Sequence, residues 1–282
     1  MTNLLEAIVN LTESFDNIVE SIVISNNRAT SMGAGLEDFV KNAFANTFSI
    51  KDETNKLEVI SNVFSFGGAK NKSPDLMLRG GEAFEIKKTE SLTIEIQLNS
   101  SHPKNRLYSN SNLVHNSCKL CEKWTERDFS YIIGHNPKGT KHLKSIWFID
   151  GEVYAANEEN YLEIKNSISE VMNSSGNYEL TDTNEIGKIK ALDPLKITSL
   201  RVRGMWLIQH PYKVFDYVHN YNEKAKFQIF GLISQNKYLK YPEISRKKLE
   251  KNEKIKISDI KLKDPNNSVN LIDSKLIYFS VK

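Results

Sequence analysis

Apolar residues recur at every third or fourth position in several stretches of the chain, a spacing that predicts amphipathic helices. The clearest stretches cover residues 3–24 and 31–47, and a third covers residues 157–172. A shorter helix is predicted over residues 112–125, whereas residues 216–235 are predicted to be helical or mixed. The pattern therefore indicates several helices, each with one face available for packing.

Alternation of apolar and polar residues predicts strands, most clearly between Leu92 and Leu98. Further strands are predicted over residues 57–66, 129–134, 143–150, 198–208 and 276–281. Strands interspersed with helices predict an α/β fold, with a mixed central β-sheet flanked by helices and a β-rich C-terminal extension.

Residues 73–88 hold the candidate chemistry, and they read as two short strands joined by a turn at Arg79-Gly80-Gly81. Glu85 and Lys87 are two residues apart on the second strand, so their side chains share a face. The hairpin folds Asp75 of the first strand back beside them. Two carboxylates and an ammonium are therefore predicted to converge on one small volume.

This grouping suits Mg²⁺, which binds one or two carboxylates and keeps several waters. Asp75 and Glu85 are the predicted ligands, and a bound metal would generate a hydroxide nucleophile and neutralise charge on a phosphate oxygen. Lys87 would orient or deprotonate the attacking water, or stabilise the charged phosphorane. The alternative is a surface hairpin with an ordinary Glu/Lys ladder.

Pro74-Asp75 followed by Glu85-Ile86-Lys87 resembles the motif of the PD-(D/E)xK nuclease superfamily. Over roughly residues 1–215 the chain is similar to type II restriction endonucleases of the NgoPII kind, a group that resembles cutters of the palindrome GGCC. The similar segments are residues 25–29, 35–41, 75–81, 98–104 and 200–206.

The resemblance implies Mg²⁺-dependent double-strand cleavage at a short GC-rich palindrome, with GGCC as the best guess, leaving 5′-phosphate and 3′-hydroxyl ends. It also implies a restriction-endonuclease-like core, here assigned to residues 1–235. The lysine content and short apolar alternations of residues 236–282 predict a small Lys-rich β extension, which either stands apart or joins the same domain. Glu37 resembles the N-terminal helix glutamate that often joins the metal site, and a solvated helix charge is the alternative.

Double-stranded DNA is the implied partner, and a palindromic site predicts a homodimer in which each subunit cuts one strand. A cognate DNA methyltransferase would be its functional counterpart. Short polar and cationic side chains contact phosphates and base edges, and paired arginines suit guanine. The predicted DNA contacts are Arg28, Asn99, Ser100, Ser101, His102, Lys104, Arg201 and Arg203. Each also has an ordinary surface-loop, capping or ion-pair interpretation.

Composition adds limits to this picture. The net charge of +3 over 282 residues is too modest to indicate a nucleic-acid binder by itself, but a local basic cleft remains compatible with it. Cys118 and Cys121 lack the second ligand pair of a structural zinc site, so they are interpreted as small buried side chains. No apolar run is long enough to span a bilayer and no signal peptide is recognised, so we expect a cytoplasmic protein without membrane contact.

Two other functions remain open at this point. A repair or recombination nuclease of the same superfamily would select DNA by its structure instead of its sequence. A non-catalytic DNA-binding protein would use the Pro-Asp hairpin only as a structural element. A redox or zinc protein built on the two cysteines is a third and remote alternative.

Overall fold

The computed structural model describes residues 2–14, 31–69, 72–98, 101–140, 142–173, 178–179, 185–190, 194–195 and 197–282. The helices described, α1 to α9, are Leu4–Glu13, Ser31–Ala45, Glu53–Val63, Asn116–Leu120, Gly151–Tyr154, Glu158–Asn173, Pro211–Val214, Gln235–Lys240 and Glu243–Glu250. The strands described, β1 to β14, are Phe64–Ala69, Lys72–Leu78, Ala83–Thr89, Ile96–Gln97, Arg106–Tyr108, Glu126–His135, Ser145–Asp150, Tyr178–Glu179, Glu185–Lys190, Ser199–Arg203, Leu207–Ile208, Phe227–Ser234, Lys256–Asp264 and Asn267–Val281.

The main sheet has the strand order β1-β2-β3-β6-β7-β12-β14-β13, and β5 pairs in addition with β6. Its central pairings are mixed, because β3–β6 and β7–β12 are parallel while β6–β7 and β12–β14 are antiparallel. Helices α1 and α2 supply apolar side chains to the core on one face of this sheet, together with residues of α8 and α9. The predicted α/β fold with a mixed central sheet flanked by helices is therefore confirmed.

Helix α1 shows how the sequence sets its local structure. The Asn3 side chain accepts hydrogen bonds from the backbone N–H groups of Leu5 and Glu6, which are donors that a helix start leaves without intrahelical partners. Its apolar side chains are buried in the core. The predicted helix over residues 3–24 is thus present as Leu4–Glu13, and residues 15–24 lie outside the described part of the chain.

Several predicted elements differ from the structure in type or extent. Residues 57–66 were predicted as a strand, but they form most of α3 and only the start of β1. Asp52 caps α3 by accepting a hydrogen bond from Asn55 N, which favours a helix where the apolar pattern alone was ambiguous. The predicted strand 92–98 shortens to β4, and β4 pairs with β11 in a separate two-stranded sheet. The predicted helix 112–125 shortens to α4.

Strand β12 differs most from its prediction. The sequence pattern predicts that residues 216–235 are helical or mixed, but Phe227–Ser234 form a strand. All eight residues of Phe227–Ser234 are buried, and the strand lies between β7 and β14 in the main sheet. A strand covered on both faces has no alternation of apolar and polar residues, so it cannot be told from a buried helix by period.

The C-terminal strands β13 and β14 are part of the main sheet. Strand β14 pairs with β12 from Ser274 to Val281, and β13 forms a hairpin with β14. The boundary between residues 235 and 236 remains a prediction. Over the residues that the structure describes, no helix has the length and apolarity required to cross a membrane.

Three histidines cluster near the buried Trp147 ring. His210 and His219 pack edge-on against this ring, and His135 packs edge-on against His210. His210 is fully buried, and its Nδ1 accepts a hydrogen bond from Tyr212 N at the start of α7. Burial, with smaller contributions from the charges of His135 and His219, lowers the pKa of His210 to about 3. The cluster is therefore neutral in the folded protein at neutral pH.

We expect this cluster to make the fold sensitive to acid. An unfolded histidine has a pKa near 6.5, so between about pH 6.5 and pH 3 the unfolded state binds more protons and stability falls as the pH falls. His210→Asn retains a capping side chain but does not titrate. Between pH 7 and pH 5 the variant should lose about 1–2 kcal/mol less unfolding free energy than the wild type. Denaturant unfolding at both pH values measures this, and equal losses would refute it.

Candidate active site

The hairpin at residues 73–88 is formed by β2 and β3, which pair antiparallel with Leu76 opposite Phe84. Gly80 occupies the turn at a φ of +66°, a conformation that favours glycine. The Glu122 carboxylate accepts hydrogen bonds from Gly80 N at 3.0 and 3.2 Å, which fixes the turn from outside. The hairpin predicted from the Gly-Gly signal is therefore present in the structure.

Asp75, Glu85 and Lys87 come together on one face of this hairpin. Asp75 Oδ2 accepts a hydrogen bond from Ile86 N at 2.7 Å, and this bond fixes the carboxylate beside β3. Lys87 Nζ lies 2.5 Å from Glu85 Oε1 and 3.4 Å from Asp75 Oδ2. The lysine thus bridges the two carboxylates.

Burial and mutual repulsion shape the charges of these groups. The pKa of Asp75 is raised to about 6, chiefly by burial and next by the negative charge of Glu85. Lys87 and the hydrogen bond from Ile86 N act in the opposite direction. Burial lowers the pKa of Lys87, but the two carboxylate charges together outweigh it, so the pKa rises above its usual value. The site therefore holds Lys87 as an ammonium, and the Asp75 carboxyl takes up a proton at a higher pH than an ordinary aspartate does.

Glu37 of α2 lies near this group. A Cβ added to Gly68 would lie 3.7 Å from Glu37 Oε1 and 3.6 Å from the backbone oxygen of Asp75, so the two residues approach the same point of β1. The charge of Glu37 raises the pKa of Asp75. Glu37 also forms an ion pair with Lys41 at 2.7 Å. The structure thus places Glu37 at the margin of the site.

The donor set fits a hard divalent cation. Glu85 is 6% exposed, and its Oε2 atom is buried without a hydrogen-bond partner, an unusual state for a carboxylate oxygen. Two carboxylates are sufficient for Mg²⁺, which completes its shell with waters and substrate phosphate oxygens. The described residues contain no group of three or more Asp, Glu, His or Cys side chains arranged to hold a metal. The two neighbouring carboxylates of Asp75 and Glu85 are the candidate ligands for such a cation.

The predicted DNA contacts at residues 101, 102 and 104 are not at the surface. Ser101, His102 and Lys104 are buried, and Asn99 and Ser100 lie outside the described residues. His102 Nε2 lies 3.3 Å from Glu158 Oε1. Such burial does not favour direct DNA contact by these three side chains.

The predicted recognition arginines are described only in part. Arg28 lies outside the described residues. Arg201 and Arg203 occupy backbone positions of β10, opposite Lys188 and Glu185 of β9 in a three-stranded sheet. The DNA contacts of Arg28, Arg201 and Arg203 remain predictions.

Both cysteines are free thiols. Burial raises the pKa of Cys118 to about 12, which disfavours the thiolate that redox chemistry or metal binding needs. Cys121 Sγ donates a hydrogen bond to the Cys118 carbonyl oxygen at 3.0 Å.

Tyr131 and Ser73 adjoin the site but were not singled out from the sequence. Tyr131 of β6 lies opposite Glu85 in the parallel pairing of β3 with β6. Ser73 Oγ is buried without a partner and lines the same small cavity as Glu85. Ser73 directly precedes the Pro-Asp motif, so its position was a usable signal. The Tyr131 contact depends on pairing between distant segments, which no local pattern reveals.

Comparison with known proteins gives two matches. A family model described as NgoPII restriction endonuclease matches residues 2–263. The chain is 40% identical to "Type II restriction enzyme NgoPII" from Neisseria gonorrhoeae over 279 residues, which cover 98% of this chain and 99% of the relative. No solved structure matches the chain.

Together with the fold and the carboxylate–lysine site, these matches define the class of the protein, a type II restriction endonuclease. Within that class, the chain belongs to the NgoPII restriction endonuclease family.

Proposed function

We propose that the protein makes Mg²⁺-dependent double-strand cuts at a short GC-rich palindrome, with GGCC as the best candidate, and leaves 5′-phosphate and 3′-hydroxyl ends. The observation that carries the proposal is the group of Asp75, Glu85 and Lys87, in which one carboxylate oxygen of Glu85 is buried without a partner. The arrangement has the order and spacing of the PD-(D/E)xK motif.

In this proposal Asp75 and Glu85 hold Mg²⁺, and Glu37 supports them from the margin. The metal, when bound, lowers the pKa of a water and neutralises charge on the scissile phosphate. Lys87 donates a hydrogen bond to the attacking water and orients it in line with the phosphorus–O3′ bond. A new phosphorus–oxygen bond forms as the bond to O3′ breaks. The attacking water releases one proton to solvent, and O3′ takes up one proton from solvent to become the hydroxyl.

The partner is double-stranded DNA, and the symmetry of a palindrome favours a homodimer with one site on each strand. Arg28, Asn99, Ser100, Arg201 and Arg203 are the proposed DNA contacts. A cognate methyltransferase would protect the host sequence, and a cytoplasmic location follows from that role. Residues 1–235 would form the nuclease core, with residues 236–282 as its extension.

Digestion of phage DNA with and without Mg²⁺ tests the proposal. Wild type should give discrete fragments only with the metal, and Asp75→Asn should give none because it loses a ligand charge. Sequencing the fragment ends then identifies the site and the end chemistry. Metal-dependent smearing would indicate a structure-selective nuclease, and DNA binding without cleavage under any metal would indicate a non-catalytic binder.

A further inference from the structure

A second lysine, Lys104, lines the same small cavity as Glu85. Lys104 is only 6% exposed, and its Nζ donates a hydrogen bond to the His102 carbonyl oxygen at 3.1 Å. A charged ammonium is costly to bury unless other groups compensate it. One carbonyl acceptor is little compensation, so the position of this lysine calls for a further anionic neighbour.

The backbone around Lys104 is fixed by two features of the main sheet. The Tyr131 hydroxyl accepts a hydrogen bond from Lys104 N at 2.6 Å and donates one to Lys104 O at 3.0 Å. At Gly151, an added Cβ would lie only 2.6 Å from Asn105 O and 2.9 Å from Lys104 O. The segment at residues 104–105 thus packs against bare backbone and has little freedom to move.

Tyr131 also links this segment to Glu85, since the two residues are opposite each other on the neighbouring strands β6 and β3. Lys104, Tyr131, Glu85 and Ser73 line one cavity of about 10 Å³, enough for about one water. The unpartnered oxygens Glu85 Oε2 and Ser73 Oγ belong to residues of this cavity wall. Burial lowers the pKa of Lys104 to about 8, and the negative charges of Glu85 and then Glu158 act in the opposite direction by attracting the ammonium.

From this geometry we propose that Lys104 is a positioning residue, whose buried ammonium attracts the Glu85 carboxylate across the cavity and orients it to bind a divalent cation. The inference rests on the proposed nuclease function and assigns a different role from direct DNA contact. Lys87 Nζ holds Glu85 Oε1 directly, and Lys104 adds a second positive charge in the wall of the cavity that Glu85 also lines. Two cations of fixed position leave the carboxylate fewer orientations than one.

The test compares Lys104→Met with the wild type. Methionine has a similar length and no charge, so the cavity stays filled while the attraction is lost. Calorimetric titration of the full-length protein with Mn²⁺ should show affinity weakened by about 10–100-fold, the usual effect of removing a group that orients a metal ligand. Affinity for uncleaved DNA, measured by gel shift in Ca²⁺, should be unchanged, as should its salt dependence.

Tyr131→Phe provides an independent variant, because it removes the hydroxyl that fixes Lys104 and leaves the lysine in place. It should weaken Mn²⁺ binding in the same direction. The double variant should be no weaker than Lys104→Met, since both changes disable one device. Thermal unfolding of each variant confirms that the chain is folded, and if Lys104→Met does not fold, Tyr131→Phe decides the question.

The outcomes separate this inference from the function on which it rests. If the wild type binds no Mn²⁺ and cleaves no DNA, the nuclease proposal itself fails. If the wild type does both and Lys104→Met binds Mn²⁺ equally well, the positioning role is refuted. If the variant instead loses DNA affinity and the salt slope falls by about one, Lys104 contacts a phosphate and the inference is also refuted.

Discussion

Lys87→Met is expected to lower the cleavage rate by about 10²–10³-fold and to leave DNA binding intact, because removing one positioned hydrogen-bond donor costs about that much. Lys87 Nζ contacts both Glu85 Oε1 and Asp75 Oδ2, at 2.5 and 3.4 Å. Without it, two close carboxylates repel each other and the attacking water loses its donor. Single-turnover cleavage in saturating Mg²⁺ measures the rate, and gel shifts in Ca²⁺ measure binding.

The same variant should alter the pH profile in a known direction. The charge of Lys87 lowers the pKa of Asp75, which burial and Glu85 hold at about 6. Removal of that charge raises the pKa further, so the acid limb of the cleavage profile should move to higher pH. The matched control is Lys88→Met, whose side chain lies on the other face of β3 and should retain the wild-type rate. A Lys87→Met enzyme with wild-type rate and profile would contradict the proposed role.

The core of the site could be predicted from the sequence because its geometry is local. A Gly-Gly turn sets the register of the hairpin, and the two-residue period of a strand then places Glu85 and Lys87 on one face. The contact of Asp75 with Lys87 spans only twelve positions along the chain. Helix Ser31–Ala45 was predictable for the same reason, since its apolar spacing is local.

The surroundings of the site could not be predicted, because they depend on distant segments. The polar character of the loop at Ser101, His102 and Lys104 indicated solvent, yet the side chains are buried. The Tyr131 hydroxyl of β6 holds the Lys104 backbone, and the His102 ring packs against the rings of Tyr161 and Trp206. Contacts between segments that are far apart in the sequence produce no periodic pattern of apolar and polar residues, so the sequence alone does not predict them.

Positive and negative side chains occur in equal number among the charged residues named in and around the site. Glu37, Asp75 and Glu85 supply negative charge, and Lys41, Lys87 and Lys104 supply a matching number of cations. A nearly balanced site limits carboxylate repulsion in the absence of a metal. Burial is the main cause of the raised pKa of Asp75, and repulsion from Glu85 adds to it, so the charge of a divalent cation would favour the ionised carboxylate.

A second group of buried charges serves the fold. Lys237 of α8 is 3% exposed, and its Nζ lies 2.7 Å from Glu82 Oε2 and 3.5 Å from Asp150 Oδ1. It also donates a hydrogen bond to Ser130 Oγ at 2.6 Å. Glu82, Ser130 and Asp150 belong to three different segments of the main sheet or its edge, so one ammonium connects α8 to all of them.

Lys237→Met should therefore destabilise the protein by about 3–5 kcal/mol, the usual cost of removing one partner from a buried ion pair. The variant leaves the Glu82 and Asp150 carboxylates buried with no cation between them. Denaturant unfolding at pH 7.5 measures the loss.

Lys240→Met is the matched control, because Lys240 lies one turn further along the same helix and is exposed at the surface. An exposed lysine without such partners should change stability by no more than about 0.5 kcal/mol. Equal stability of both variants would mean that water, instead of Lys237, compensates Glu82 and Asp150. In that case the link between α8 and the sheet would rest on apolar packing, and Tyr238 would be the residue to replace next.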